Sequence, residues 1–101
     1  MTPPGRKFPF TGVLVAAAPE EAGVYILWQD EEIIYIGRAA GRGTTIRSRL
    51  VDHFSGREGP CTRHTTHYSW ELSRDPSARE AQLLEEYRTS FRRVPRCNSA
   101  A

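Results

Sequence analysis

Apolar and polar positions along the chain change period several times, and each change marks an element. TGVLVA, Thr11 to Ala16, reads as a first strand. Two β-rich runs, Val24–Trp28 and Ile33–Ile36, are joined by the polar QDEE, which predicts a hairpin. Strict alternation along those strands places Tyr25 with Leu27 on one face and Tyr35 with Ile33 on one face. After AAGRGTT, whose threonines suit a helix cap, Ile46, Leu50 and Phe54 recur at helical spacing and predict about three turns, ended by SGREGP. HYSWEL alternates Tyr68, Trp70 and Leu72 against polar neighbours and predicts a further strand. Asp75 and Pro76 then supply an N-cap and first helical position for a helix reaching about Arg92. The order strand, hairpin, helix, strand, helix predicts an α/β (α+β) domain, with a small three-stranded, mainly antiparallel sheet flanked by helices.

The last helix carries an anomaly. On a wheel at about 100° per residue, Leu83, Leu84, Tyr87 and Phe91 cluster around Glu80, whereas Glu85 and Glu86 fall on the far side. A carboxylate centred in an apolar stripe must be ion-paired, protonated or bound to a cation, because an unpaired buried charge is too costly. The plainest partner is Arg49, and the alternative is a divalent ion beside a reacting phosphate. Arg49 and His53 lie one turn apart at the edge of the Ile46–Leu50 stripe and can point together toward the sheet. Arg47 also falls near that side, so periodicity alone does not separate it from Arg49.

Composition adds a bias in charge. Thirteen of the 14 basic residues are arginine, which grips phosphate with a planar fork. Net charge is −3 over residues 1–37, +4 over 38–63 and +1 over 64–101, so positive charge concentrates just after the YIG tripeptide. Polyanions are therefore plausible partners. With 101 residues and 39% apolar content the chain suits one small domain. Residues 1–11 read as a flexible arm, 12–98 as the domain and 99–101 as a tail. No apolar run reaches the roughly 20 residues of a membrane span, and the N-terminus lacks a signal-peptide pattern, so a soluble, cytoplasmic protein is expected. Cys61 and Cys97 are accordingly expected to be thiols. Together with His64 and His67 they invite a zinc site, but equal two-residue gaps running from a loop into a strand do not naturally converge three side chains.

Two strand tyrosines, with Arg, His and Glu arriving on flanking helices, form a set suited to phosphodiester cleavage. That reaction needs a proton acceptor for the attacking water, a cation against the phosphate and a metal to hold oxygens. A free tyrosine ionises near pH 10, so as a base it requires nearby positive charge such as Arg49, Arg38 or the metal.

The motifs GVY (Gly23–Tyr25) and YIG (Tyr35–Gly37), the segment RAAGRGTTIRSRLVDHF, the helix EAQLLEEY and the closing PRCN together resemble a GIY-YIG nuclease domain, in particular that of bacterial excision-repair proteins. The resemblance covers roughly Gly12 to Asn98. It implies that Tyr25 and Tyr35 line the site with their hydroxyls toward the scissile phosphate, one acting as or positioning the general base. Arg49 would steady the phosphate, His53 would assist proton transfer and Glu80 would hold a single Mg²⁺ or Mn²⁺. Gly37 and Asn98 would support the site, and Arg38, Arg42 and Arg47 would contact the nucleic-acid backbone. Counting back from Asn98 points to Glu86 as the metal ligand, but the wheel turns Glu86 outward and Glu80 is preferred.

The expected activity is that of a metal-dependent endonuclease on DNA, more than RNA, with branched, damaged or invading DNA as candidates. A catalytically silent nucleic-acid-binding or protein-interaction module on the same scaffold is the alternative. Target choice would then come from a homodimer, a protein partner or the structure of the substrate.

Overall fold

The computed structural model describes residues 5–99. Its elements are β1 (Phe8–Pro9), α1 (Gly12–Ala16), β2 (Gly23–Gln29), β3 (Glu32–Ala39), α2 (Ile46–Phe54), a 3₁₀ turn (Cys61–His64), β4 (His67–Leu72) and α3 (Pro76–Phe91). The strands form one antiparallel sheet in the order β1-β4-β2-β3. The expected three-stranded sheet thus gains a fourth, two-residue strand. It lies inside the segment expected to be a flexible arm, because Phe8 and Pro9 pair with Tyr68 and His67. Residues 1–4 of that arm lie outside the described residues.

Thr11–Ala16 is a helix rather than a strand. The Thr11 side chain accepts from Leu14 N and caps the turn, leaving Val15 inward and Val13 exposed. A six-residue apolar run has no period that separates the two states, and the cap decided it. Both longer helices begin as expected, with Thr45 and Ser48 closing a capping box on α2 and Asp75 capping α3 ahead of Pro76.

Two cores sandwich the sheet. Against α3 lie Val24, Ile26, Trp28, Ile33, Ile36, Leu83 and Tyr87; against α1 and α2 lie Val15, Tyr25, Leu27, Ile34, Ile46 and Leu50. A bulge in β3 sets which residues face which core. Leu27 pairs with Tyr35 and Trp28 with Ile33, so Ile34 is the extra residue. Ile34 and Tyr35 therefore both turn toward α2 while Ile33 turns toward α3, which corrects the expected pairing of Tyr35 with Ile33. Without the extra residue, simple alternation would place only one of Tyr35 and Ile33 correctly.

β3 is an edge strand, and the C-terminal segment covers it. Cys97 N donates to Ile34 O at 2.9 Å, and the Asn98 amide bonds both Ile36 N (2.9 Å) and Ile36 O (2.8 Å). One side chain thus supplies the two partners that a neighbouring strand would have supplied. Cys97 also forms a disulfide with Cys61, with a sequence separation of 36. The expectation of free thiols was a rule about compartments. Folding brings the two Cα atoms to 5.7 Å, within bonding range, and the pairing also removes two of the four side chains of the zinc reading.

Candidate active site

Tyr25 stands in the middle of β2 with no solvent exposure, its ring laid over Gly37. A Cβ at position 37 would sit 2.5 Å from Tyr25 Cζ and 2.6 Å from a Tyr35 ring carbon, so the close approach of the two rings requires glycine there. His53, delivered from α2, packs its ring 5.6 Å from Tyr25 and 4.9 Å from Tyr35, centroid to centroid. Its Nε2 shares a 2.9 Å hydrogen bond with the Tyr25 hydroxyl, and its Nδ1 shares another of 2.9 Å with Thr62 Oγ1 in the 3₁₀ turn. Among the described residues every buried side-chain nitrogen and oxygen has a hydrogen-bond partner.

The electrostatics of this chain favour neutral groups. Burial, then the proximity of Tyr35, pushes the Tyr25 phenol well above its usual range, against the opposing influence of Arg49. Burial and the Arg49 charge lower His53 to about 4. Near neutral pH, Tyr25 therefore keeps its proton and His53 is an uncharged imidazole, donor at one nitrogen and acceptor at the other. The Thr62 hydroxyl can serve either tautomer by rotating.

Beside this chain lies an open polar cleft of about 430 Å³, lined by Tyr35, Arg38, Ala40, Thr44, Arg49 and Glu80. Tyr35, Arg49 and Glu80 meet there from β3, α2 and α3. Tyr25 is not among the cleft residues, so the two tyrosines occupy different places: Tyr35 faces the opening while Tyr25 stands behind it, bonded to His53. Arg49 is held by Asp52 Oδ2 at 3.4 Å and by Glu58. Glu80, with its side chain 18% exposed, is ion-paired, but its partner is Arg38 at 2.8 Å rather than Arg49. Glu86 is exposed, as the wheel indicated.

The remaining basic candidates divide. Arg42 is exposed in a loop between two glycines of positive φ. Arg47 is committed elsewhere, donating from Nε to Ala18 O at 2.8 Å and pairing with Glu20, so it ties α2 to the segment before β2. Sequence reasoning did not single out Thr62 or Glu58. Thr62 sits inside the CTRHTTH stretch considered only for zinc, and Glu58 inside a loop read only as a helix stop. Neither carries a periodic signal, since both contacts depend on how the loop folds back onto α2.

Among the described residues no group of three or more His, Cys, Asp or Glu side chains is placed to hold a metal ion. The cleft offers one carboxylate, Glu80. That donor set suits a hard cation that keeps most of its own water and takes only one or two carboxylates, as Mg²⁺ does.

No family model matches the chain. The UvrABC system protein C of Hydrogenobaculum sp. (strain Y04AAS1) is 36% identical over 77 residues, covering 71% of this chain. The chain spans only 13% of that relative's length. Among solved structures, the GIY-YIG N-terminal endonuclease domain of UvrC from Thermotoga maritima, bound to its catalytic divalent cation magnesium, superposes with a TM-score of 0.61 at 25% identity, covering 82% of this chain and 89% of that one. An asparagine point mutant of the same domain, also bound to its catalytic divalent cation, gives a TM-score of 0.63 at 26% identity, covering 82% and 88%. Sheet order, the paired tyrosines, the arginine and glutamate helices and these relatives agree, and the chain belongs to the GIY-YIG nuclease superfamily.

Proposed function

We propose that this domain is an endonuclease that hydrolyses phosphodiester bonds in DNA with the help of Mg²⁺ or Mn²⁺. The observation that carries the reading is the convergence of Tyr35, Arg49 and Glu80 on one polar cleft. Arg49, with two carboxylates behind it, presents a fixed guanidinium to a phosphate. Glu80 is the residue that would hold the cation, and Arg38 must leave it first. A divalent ion there would supply Lewis-acid chemistry, offsetting charge on a phosphate oxygen and acidifying water. Tyr35 would position or deprotonate the attacking water at its hydroxyl, while Tyr25, kept neutral by burial and hydrogen-bonded to His53, shapes the wall behind it. Arg38 lines the cleft and Arg42 is exposed in the loop after β3, and both suit backbone contacts rather than chemistry. DNA is favoured over RNA because the similar proteins are UvrC domains.

A cleavage screen over supercoiled, single-stranded, flap and junction DNA, with Mg²⁺, Mn²⁺ or EDTA, tests the proposal. Nicking that requires a divalent ion and vanishes in Glu80→Ala is the expected result. Ion-independent cutting, or full activity in folded Glu80→Ala, would discard Glu80 as the metal ligand. Tight DNA binding with no cutting on any substrate would leave the silent binding module as the function. No helix among the described residues is long and apolar enough to cross a membrane.

A further inference from the structure

The site has a second hollow on its other side, of about 350 Å³, whose walls include Tyr35, His53, Glu58, Thr62 and both cysteines. Tyr35 is the partition between this hollow and the Glu80 cleft. Arg49 lines the cleft and Glu58 lines the hollow, and the two are ion-paired across that boundary. The pair fixes where the guanidinium fork points.

The loop that carries Glu58 is tied at its start to the end of α2, through Gly56 N to His53 O (3.1 Å), Arg57 N to Asp52 O (3.0 Å) and the Arg57–Asp52 ion pair (3.2 Å). It turns at Gly56 (φ 83°) and Gly59 (φ 96°), and an added Cβ at Gly59 would meet nothing within 4 Å. At its far end it is attached by the Thr62–His53 hydrogen bond and the Cys61–Cys97 bond. Cys97 belongs to the segment clamped along β3 through Ile34 and Ile36, on either side of Tyr35. One covalent bond therefore joins the loop that orients Arg49 and His53 to the strand that carries Tyr35.

Building on the nuclease reading above, we propose that the Gly56–Thr62 loop is the positioning element of the site, with Glu58 aiming Arg49, Thr62 holding His53 against Tyr25, and the Cys61–Cys97 disulfide locking both in register. Opening the lock is a two-electron exchange with a dithiol. One of its thiolates attacks Cys61 or Cys97, the S–S bond breaks, both cysteines end as protonated thiols and the dithiol becomes a disulfide. Neither Glu58 nor Thr62 lines the Glu80 cleft, so the expected effect falls on turnover more than on binding.

The test uses the whole chain and two readouts. The first, independent of cutting, is the ¹⁵N signal of the His53 ring, oxidised and after dithiothreitol. The expected result is a changed tautomer balance on reduction and in Thr62→Val, with the oxidised pattern kept in Thr62→Ser. The second is plasmid nicking with Mg²⁺. Reduction, Glu58→Gln and Thr62→Val are each expected to lower kcat about tenfold with KM changed less than about threefold, since small misplacements of catalytic groups cost that much or more. Reoxidation and Thr62→Ser restore the rate, and Glu58→Gln adds little further loss in the reduced protein. Circular dichroism establishes that each species is folded. If reduction unfolds the chain, the two variants with the disulfide intact decide the matter. An unchanged His53 spectrum together with unchanged kcat in Glu58→Gln and Thr62→Val overturns the proposal. A changed spectrum in a protein that cuts nothing would instead remove the nuclease reading and leave the positioning loop standing.

Discussion

The two faces of the sheet are built on different terms. Against α3 the buried set is almost wholly apolar: Val24, Ile26, Trp28, Ile33, Ile36, Leu83 and Tyr87, with the Trp28 indole donating to Ser69 at 3.1 Å. Against α2 the core admits a relay of polar groups, Tyr25, His53 and Thr62, and a guanidinium at its border. Apolar burial stabilises by roughly 25 cal/mol per Å², whereas a buried polar group contributes little net stability and penalises the fold when it loses its partner. The α3 face is the means of folding. The α2 face gives up part of that stabilisation to hold neutral, oriented hydroxyl and imidazole groups beside a charged cleft. Glu80 is where the faces meet, since α3 supplies it to the cleft that Tyr35 and Arg49 also line.

If that division is right, substitutions on the two faces separate activity from stability. The largest expected effect is on the cleft: Arg49→Ala lowers the nicking rate by about a thousandfold, the scale of removing a preorganised donor to a charged transition state, while the melting temperature shifts by only a few degrees. A comparable rate in the folded variant would break the contrast. On the opposite face, Leu83→Ala, which truncates a fully buried side chain, is expected to cost about 3 to 4 kcal/mol in denaturant unfolding and to leave kcat at 25 °C within about twofold.

Between about pH 4 and pH 6.5 the α2 face adds its own contribution to the pH dependence of stability through His53. His53 titrates at about 4 when folded and near 6.5 when unfolded, so between those values the unfolded chain binds more protons. The contribution is complete above pH 6.5 and is lost as pH falls toward 4, on the order of 3 kcal/mol in all. Urea unfolding from pH 7 to 4 measures it, and His53→Gln is expected to flatten that stretch of the curve. An equally steep loss in His53→Gln would place the acid sensitivity elsewhere. The smallest effect is in the exposed loop after β3: Arg42→Ala reduces the salt slope of DNA affinity by about one phosphate contact without changing kcat. An unaltered slope removes Arg42 from the DNA surface.

Much of this architecture is written in local pattern. The hairpin, both capped helices and HYSWEL follow from period and cap chemistry, because each signal involves residues within a few positions of one another. The inward turn of Glu80 was legible for the same reason: a wheel needs only the 3.6-residue repeat. The run Thr11–Ala16 failed because a short apolar stretch lacks a period, and a side-chain cap settled what hydrophobicity left open. Arg47 and Arg49 could not be told apart along the helix. Only the neighbours that α2 meets in space give one a carbonyl at Ala18 and the other a place in the cleft.

By itself, then, the chain's order of residues determined the elements from the hairpin onward, the presence of two tyrosines flanking a bend, and an inward acid that had to be ion-paired, protonated or bound to a cation. Tertiary structure decided which cation, namely Arg38, and which tyrosine faces the opening, through one extra residue in β3. It also decided that Cys61 and Cys97 bond and that Glu58 and Thr62 reach the site. The reason is physical: periodicity and capping act over one or two turns of chain. Pairings across 36 or 42 positions exist only after the sheet and its two cores have brought the partners together.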